Sequence, residues 1–203
     1  MSSAQGYRTN RVNVLETNRP ASMRGPDNGF PAVTMKTGVP FSVHALESGA
    51  SRGTIELILS LSNQIFNTAA SSPIHHSSLD EWHKRLSQPS SVLLYARDTS
   101  TPSTQGRPVG FIFAHPKNDS SLPSQTLHIW LAGVTEQAHG TGIFAALMMA
   151  VEQHARKHDI QELSVCTYPG KFGKMFAILQ TTGWKVWAWM EGGEKVLMIK
   201  TVL

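Results

Sequence analysis

A single cysteine, Cys166, leaves no partner for an internal disulfide and suits a reducing compartment. No stretch approaches the eighteen or so apolar residues that cross a bilayer. The opening "MSSAQGYRTNRVNVLETNRP" has no hydrophobic core of a secretory signal, and Glu16, Asp27 and several prolines count against an amphipathic transit peptide. A soluble, cytoplasmic protein without a membrane partner is the expectation. Metal spacings are missing too: His75, His76, Asp80 and His83 fit neither H-E-x-x-H nor a zinc finger. His154 and His158 lie four apart on a helix without an acidic or cysteine partner in sequence, so they are expected to be exposed. No metal is expected.

Acidic residues are scarce relative to basic ones, and the 203 residues carry a net charge of +4. Residues 1–40 hold Arg8, Arg11, Arg19, Arg24 and Lys36 against only Glu16 and Asp27, so most of the excess sits there. The remainder is close to neutral, which gives little support to a nucleic-acid partner.

Residues 1–38 are rich in Ser, Asn, Pro, Gly and Arg and read as a tail or extended segment, leaving residues 39–203 as one domain. "FSVHALES" alternates like a strand. "TIELILSLSNQIF" has helical spacing through Ile55, Leu59, Ser62 and Phe66, and a short helix follows Ser78, its N-cap. "SVLLYARD", "PVGFIFAHP" and "TLHIWLAGV" form a strand meander with a long loop from Asp98 to Pro108. A helix to about His158 follows, its apolar stripe being Phe144, Leu147, Met148, Val151 and Ala155. "ELSVCTYP" is a strand, "KFGKMFAILQTTG" a helix closed by Gly183, and the chain ends in a hairpin through Gly192-Gly193.

The segment "GVTEQAHGTGIFAALMMAVEQHA" places Gly140 and Gly142 at the mouth of the long helix. A helix N-terminus has unpaired N–H groups and about half a positive charge, and glycines let an anion approach them. The P-loop pattern is absent. Gly140, Gly142 and Ala145 spell G-x-G-x-x-A, but Thr135 to His139 separate them from their strand. The acid expected after the next strand is also missing, and the preceding strands read as antiparallel. A dinucleotide fold is therefore rejected.

What remains resembles the GCN5-related N-acetyltransferase (GNAT) superfamily, whose phosphate turn is [QR]-x-x-G-x-[GA]. Gln137, Gly140 and Gly142 match it in the register of the histone acetyltransferases. A second register, beginning at His139 and Gly142, puts Phe144 at a small position and fails at both ends. Gly183-Trp184 is similar to the family's Gly-Phe before its sixth strand. The resemblance implies an α/β (α+β) fold with a mixed sheet of about six or seven strands, splayed between the fourth and fifth, and about four helices. It implies acetyl-CoA, or another acyl-CoA, as donor. The diphosphate would rest on the amides of Ala138, His139, Gly140, Thr141, Gly142 and Ile143 beside Gln137. The pantetheine arm would pair with the backbone of Ala132 and Val134.

An amine nucleophile has a pKa near 10, so about one molecule in a thousand is free base at neutral pH. A base tuned near 7 would help, with the histidines, Glu136 and Tyr168 as candidates. His128, six residues before Val134, matches the position of a working histidine in the aralkylamine acetyltransferases. Trp130 shares its face by the period of two and would line the acceptor site; ordinary core packing is the alternative. His75 and His76 fall where the family builds that site. Leu179 stands where many members carry an acidic Tyr, leaving Tyr168 as substitute. Cys166 reads as a small apolar residue rather than a nucleophile. Lys171 and Lys174 open the last helix and would suit a phosphate, or merely a solvated turn. Trp130, Trp184, Trp187 and Trp189 would suit an aromatic or hydrophobic amine, and are equally ordinary as the packing of a core strand pair.

The implied function is acetyl transfer to a primary amine, a small molecule, by direct attack in a ternary complex. A peptide or protein amine is an alternative acceptor, and a non-catalytic acyl-CoA-binding or regulatory module is the rival. The oligomeric state is open, a homodimer included.

Overall fold

The computed structural model describes residues 40–66, 78–100, 106–119, 122, 123 and 125–202. The expected tail at 1–38, and His75 and His76, lie outside the described residues. The elements follow the expected order: β1 Phe41–Leu46, α1 Arg52–Phe66, α2 Leu79–Leu86, β2 Val92–Asp98, β3 Pro108–Lys117, β4 Thr126–Val134, α3 Ile143–Lys157, β5 Glu162–Thr167, α4 Gly173–Thr181, β6 Lys185–Met190 and β7 Lys195–Thr201. Two 3-10 turns, Glu136–Ala138 and Glu191–Gly193, punctuate them.

One sheet runs β1-β2-β3-β4-β5-β7-β6, antiparallel except where β4 meets β5. The alternation of β2 explains its central place. Val92, Leu94 and Ala96 enter one core with α3, while Leu93 and Tyr95 enter a second with α1 and α2. Both faces of the strand are covered, so both of its side-chain sets are apolar.

The face of α1 is rotated from its expected stripe. Ile55, Ile58, Leu61 and Ser62 are buried, whereas Leu59 and Phe66 are only half-buried. Helix α2 starts as expected, the Glu81 N–H donating to Ser78 Oγ at 3.3 Å. Asp80 and Glu81 lie in its first turn and His83, Lys84 and Arg85 in its last, each set complementing the helix dipole. Helix α4 ends on Gly183 at φ +90°, with Trp184 N–H donating to the Leu179 carbonyl at 3.1 Å.

Two expectations fail. His154 is not exposed: it is 2% accessible, with Nε2 donating to the Ser90 carbonyl at 2.9 Å. That carbonyl comes from the α2–β2 connection, which a local sequence window cannot see. The tryptophans do not share a site either. Trp184 is core, while Trp187 and Trp189 are exposed on the edge strand β6.

Candidate active site

The turn between β4 and α3 is held from below and open above. Thr135 N–H donates to the Val109 carbonyl at 2.8 Å, and Ala138, 9% accessible, anchors the 3-10 turn in the core. The amides of Ala138 and His139 are consumed within it, donating to the carbonyls of Thr135 at 2.9 Å and Glu136 at 3.1 Å. These two were expected to face a diphosphate; closure of the 3-10 turn removes their N–H groups from that role. Among the described residues, no hydrogen bond engages the amides of Gly140, Thr141 or Gly142. Gly140 has φ +76° and Gly142 +85°, the left-handed region that glycine enters without penalty. A Cβ on Gly140 would meet nothing within 4 Å. The protein therefore needs glycine there for its backbone angle, and the space above it is free. Thr141 Oγ1 donates to the Ala138 carbonyl at 2.7 Å and locks the loop. Gln137 and Glu136 stand exposed outside it.

Beside this turn the sheet splits. Strands β4 and β5 pair only from Thr126–Glu162 to Ile129–Val165. At that last pair β4 also bulges: Ile129 faces Ala114 and Leu131 faces Phe113, so Trp130 has no partner across the ladder. A bulge bends its strand, and here β4 follows β3 away from β5 while β5 stays with β7. Gly110 lies opposite Val134, and Thr135 rather than Val134 bonds to Val109. By the alternation of an antiparallel ladder, the backbone groups of Ala132 and Val134 point into the gap. The exposed His139 donates from Nε2 to the Val134 carbonyl at 3.0 Å.

A cleft of about 640 Å³ occupies the gap. Phe144 and Met148 from α3, with Met175 and Leu179 from α4, give it an apolar wall. His128, Trp130, Tyr168, Lys117 and Lys195 line another part. The open glycine turn, the strand edge and this trough fit the diphosphate, amide arm and thioester of an acyl-CoA.

His128 is 7% accessible and its Nδ1 lies 2.9 Å from Ser164 Oγ, itself fully buried on β5. Burial, reinforced by Lys117, His115, Lys195 and Arg85, takes its pKa down to about 3. The expectation of a base tuned near 7 is not met, because the charged imidazolium would be desolvated among cations. Next to it, His115 holds its Nδ1 2.9 Å from the Pro116 carbonyl. A carbonyl can only accept, so Nδ1 carries the proton and Nε2 accepts from Arg85 at 3.1 Å. Burial also lowers the His115 pKa, against the pull of the Pro116 carbonyl. Arg85 caps the group, its guanidinium 4.2 Å from the Trp130 ring centre.

Just beyond β5 the Tyr168 hydroxyl donates to Glu191 Oε2 at 2.9 Å, and Lys195 reaches Oε1 of the same carboxylate at 3.0 Å. Hydrogen bonds from Lys195 and Tyr168 lower the Glu191 pKa, and the bond to Glu191 raises that of Lys195. Lys171 lines the cleft with its ammonium 5.3 Å from the Tyr168 ring. Burial raises the Cys166 thiol, which keeps it protonated and a poor nucleophile.

Of the residues expected at the site, His128, Trp130 and Tyr168 line the same cleft, while the glycine turn lies between Ala132 and Phe144, which also line it. The sequence pattern missed Ser164, His115, Arg85, Lys117, Glu191 and Lys195. Registering β3 against β4 as a meander would have set His115 opposite His128. No local signal points to Arg85, which arrives from α2.

The profile described as "Acetyltransferase (GNAT) family" matches residues 59–172. No curated protein sequence matches the chain significantly. Among solved structures, an acetyltransferase of the GNAT family from Staphylococcus aureus MU50 is 12% identical, covering 80% of this chain and 100% of that one at a TM-score of 0.62. Arabidopsis thaliana NAA60, solved in complex with a bisubstrate analogue, is 13% identical over 79% and 98% of the two chains, with a TM-score of 0.57. Ard1 from Thermoplasma volcanium is 18% identical over 79% and 98%, at 0.55. At such identities the likeness is one of fold. Among the described residues, no helix is long and apolar enough to cross a membrane.

Proposed function

The chain belongs to the GNAT acetyltransferase family, and from that premise we propose that it moves an acetyl group from acetyl-CoA to the primary amine of a small molecule. Transfer is direct, within a ternary complex, in a cytoplasmic setting. The observation that carries this reading is the run of unengaged amides at Gly140, Thr141 and Gly142 opening beside the split strands. Bound acetyl-CoA supplies an activated thioester; this chain's residues supply grip, alignment and proton handling.

In this reading the amides of Gly140, Thr141, Gly142 and Ile143 hold the diphosphate at the positive end of α3, with Gln137 at the rim and the Ala138–His139 turn as their support. The backbone of Ala132 and Val134 pairs with the amide arm, and an N–H near Val134 polarises the acyl carbonyl. His128 stays neutral at every physiological pH. It acts as hydrogen-bond acceptor for the N–H of the free amine, selecting the uncharged nucleophile rather than deprotonating an ammonium ion. Ser164 decides its usefulness: when Nδ1–H donates to Ser164 Oγ, Nε2 keeps its lone pair for the amine. Trp130 forms the wall of the acceptor site, and the role assigned to His75 and His76 is contact with the acceptor. Attack forms the C–N bond and breaks the C–S bond, and the proton lost by the amine nitrogen passes to solvent. Tyr168 gives its proton to the departing thiolate and recovers one from solvent, Glu191 and Lys195 holding the hydroxyl just beyond β5.

Mixing the full chain with acetyl-CoA and a panel of amines and peptides, then following free thiol, tests the proposal. Thiol release that depends on a small primary amine supports it, and release only with peptides moves the acceptor class. The rival, a non-catalytic acyl-CoA-binding module, draws on Leu179 at the usual acid position and on Phe144. Tight acetyl-CoA binding with no release across the panel would select it.

A further inference from the structure

Away from the cleft, the last turn of α3 meets the residue that follows β1. His154 and His158 are four residues apart and so share a helix face, their ring centres 4.4 Å apart. Glu47 reaches the same point, and one ligand atom from each of the three lies within 4.8 Å of the others. Neighbouring donors of a tetrahedral site with bonds of about 2.1 Å stand roughly 3.4 Å apart. The gap can be closed by the rotamers of Glu47 and His158, both half-buried.

The hydrogen bonding of His154 points to the missing component. Its Nε2 must carry the proton, because the Ser90 carbonyl 2.9 Å away can only accept. In the neutral imidazole Nδ1 then bears the lone pair, and it lies 3.8 Å from Glu47 Oε1. That tautomer sets a nitrogen lone pair and a carboxylate face to face, an arrangement that a bound cation satisfies. Among the described residues, the Nε2 of His158 is buried without a hydrogen-bond partner, and it offers a third ligand atom in the tautomer that leaves it unprotonated. Among the described residues, the lysine or arginine that compensates Glu47 is Lys157, whose ammonium is 3.7 Å away on a side chain 61% exposed.

An imidazole fixed by donating its second N–H to a main-chain carbonyl is the usual outer shell of a metal-binding histidine. Two imidazoles with one carboxylate suit Zn²⁺ and its late first-row neighbours. The negative end of the helix dipole favours a cation at this position. We propose that Glu47, His154 and His158 bind one Zn²⁺ or similar divalent ion, tying the C-terminus of α3 to the end of β1. The fifteen residues of α3 keep this site roughly 22 Å from the glycine turn. The ion's role is thus structural or regulatory, and the proposal does not depend on the acetyl-transfer reading.

The experiment uses the full chain, stripped with a chelator and desalted, then titrated with Zn²⁺ or Co²⁺. Thermal unfolding and the visible absorption of bound Co²⁺ are the readouts. One ion per chain is expected, with the unfolding midpoint rising by roughly 5–10 °C at a hundredfold excess over Kd. Glu47→Gln and His158→Asn should each weaken binding at least about tenfold, the scale on which even an outer-shell partner counts. Both residues are half-buried, so the metal-free variants should melt near the metal-free parent. His154→Asn is avoided, because it strands the Ser90 carbonyl and risks the fold. No binding in the parent overturns the proposal. So does equal binding in parent and both variants, which would put the ion on other histidines such as His75, His76 or His83.

Discussion

The two ends of α3 carry opposite chemistry by opposite means. At the N-terminus side chains have been removed: Gly140 and Gly142 take left-handed angles, a Cβ on Gly140 would meet nothing, and among the described residues no hydrogen bond engages the amides of Gly140 to Gly142. At the C-terminus they have been added: His154, His158 and Glu47 converge with a lone pair and a carboxylate turned toward each other. One helix dipole serves both, favouring an anion at the first end and a cation at the second. Each region also relies on a buried, neutral histidine, His128 in the cleft beside the first end and His154 at the second. An anion site of this kind needs only backbone and vacancy, whereas a cation site needs specific donors brought from several elements.

The sharpest break of that comparison is Gly140→Val. A branched residue at φ +76° is strained by about 1–2 kcal/mol, but a Cβ there meets nothing of the protein. Any larger effect must fall on the ligand. Losing two charge-assisted amide bonds, each about 1.5–3 kcal/mol, should weaken acetyl-CoA binding on the order of 10³-fold. Calorimetric titration measures it, alongside an unfolding midpoint lowered by only a few degrees. A loss of affinity no greater than the loss of stability would remove the glycine turn from the cofactor site. Metal binding at the far end should be unchanged.

His128→Asn comes next, since Asn keeps an atom able to bond Ser164 but not the second ring nitrogen. The expected fall in kcat is about 10²-fold, the lower end of the range for a general base, because a histidine that stays neutral aligns the amine without taking up its proton. The parent's pH–rate profile should rise toward the amine's own pKa without a limb near 6.5. A limb near 6–7 in the parent that vanishes in the variant would restore His128 as an ordinary general base.

This contrast also explains what could be read from the chain. The element order was legible because each helix and strand carries its own periodicity. The glycine turn was legible because positive φ at the mouth of a helix has few solutions besides glycine. His128 was found through resemblance, but its depressed pKa was not, since burial and the cations Lys117, Lys195 and Arg85 come from three other elements. The amides of Ala138 and His139 looked available until the 3-10 turn closed on them. Most instructive is His154. It was read as exposed because the partners that explain its burial, Ser90 and Glu47, lie far away in sequence.

Acid sensitivity of the fold sharpens the comparison of the two buried histidines. Below pH 6.5 the unfolded chain takes up a proton at position 128, while the native state, with a pKa of about 3, does not. Unfolding therefore gains protons, and stability falls as pH drops from 6.5 toward 3. On those values His128 alone removes about 2 kcal/mol by pH 5. His115 and His154, also lowered by burial, act in the same direction. Urea unfolding of the parent and His128→Asn at pH 7 and pH 5 isolates the first contribution. Equal pH dependence in both would mean that His128 is solvated and protonated in the native state. Repeating the series with saturating Zn²⁺ should leave the His128 contribution intact, since the ion sits at the other end of α3.

The smallest effect expected is that of Lys157→Met. The Lys157 ammonium lies 3.7 Å from Glu47 Oε1, and its side chain is 61% exposed, so the pair is worth well under about 1 kcal/mol. Without metal the variant should melt within a degree or two of the parent. With metal the sign reverses. The ammonium competes for the carboxylate and repels a dication, so removing it should tighten Zn²⁺ binding about threefold, more at low salt than at high. Acetyl-CoA affinity should not move, because the glycine turn lies a full helix length away. Unchanged or weaker metal binding in Lys157→Met would mean that Glu47 belongs to an ordinary surface ion pair, and that the negative end of α3 is neutralised by lysine rather than by a bound ion.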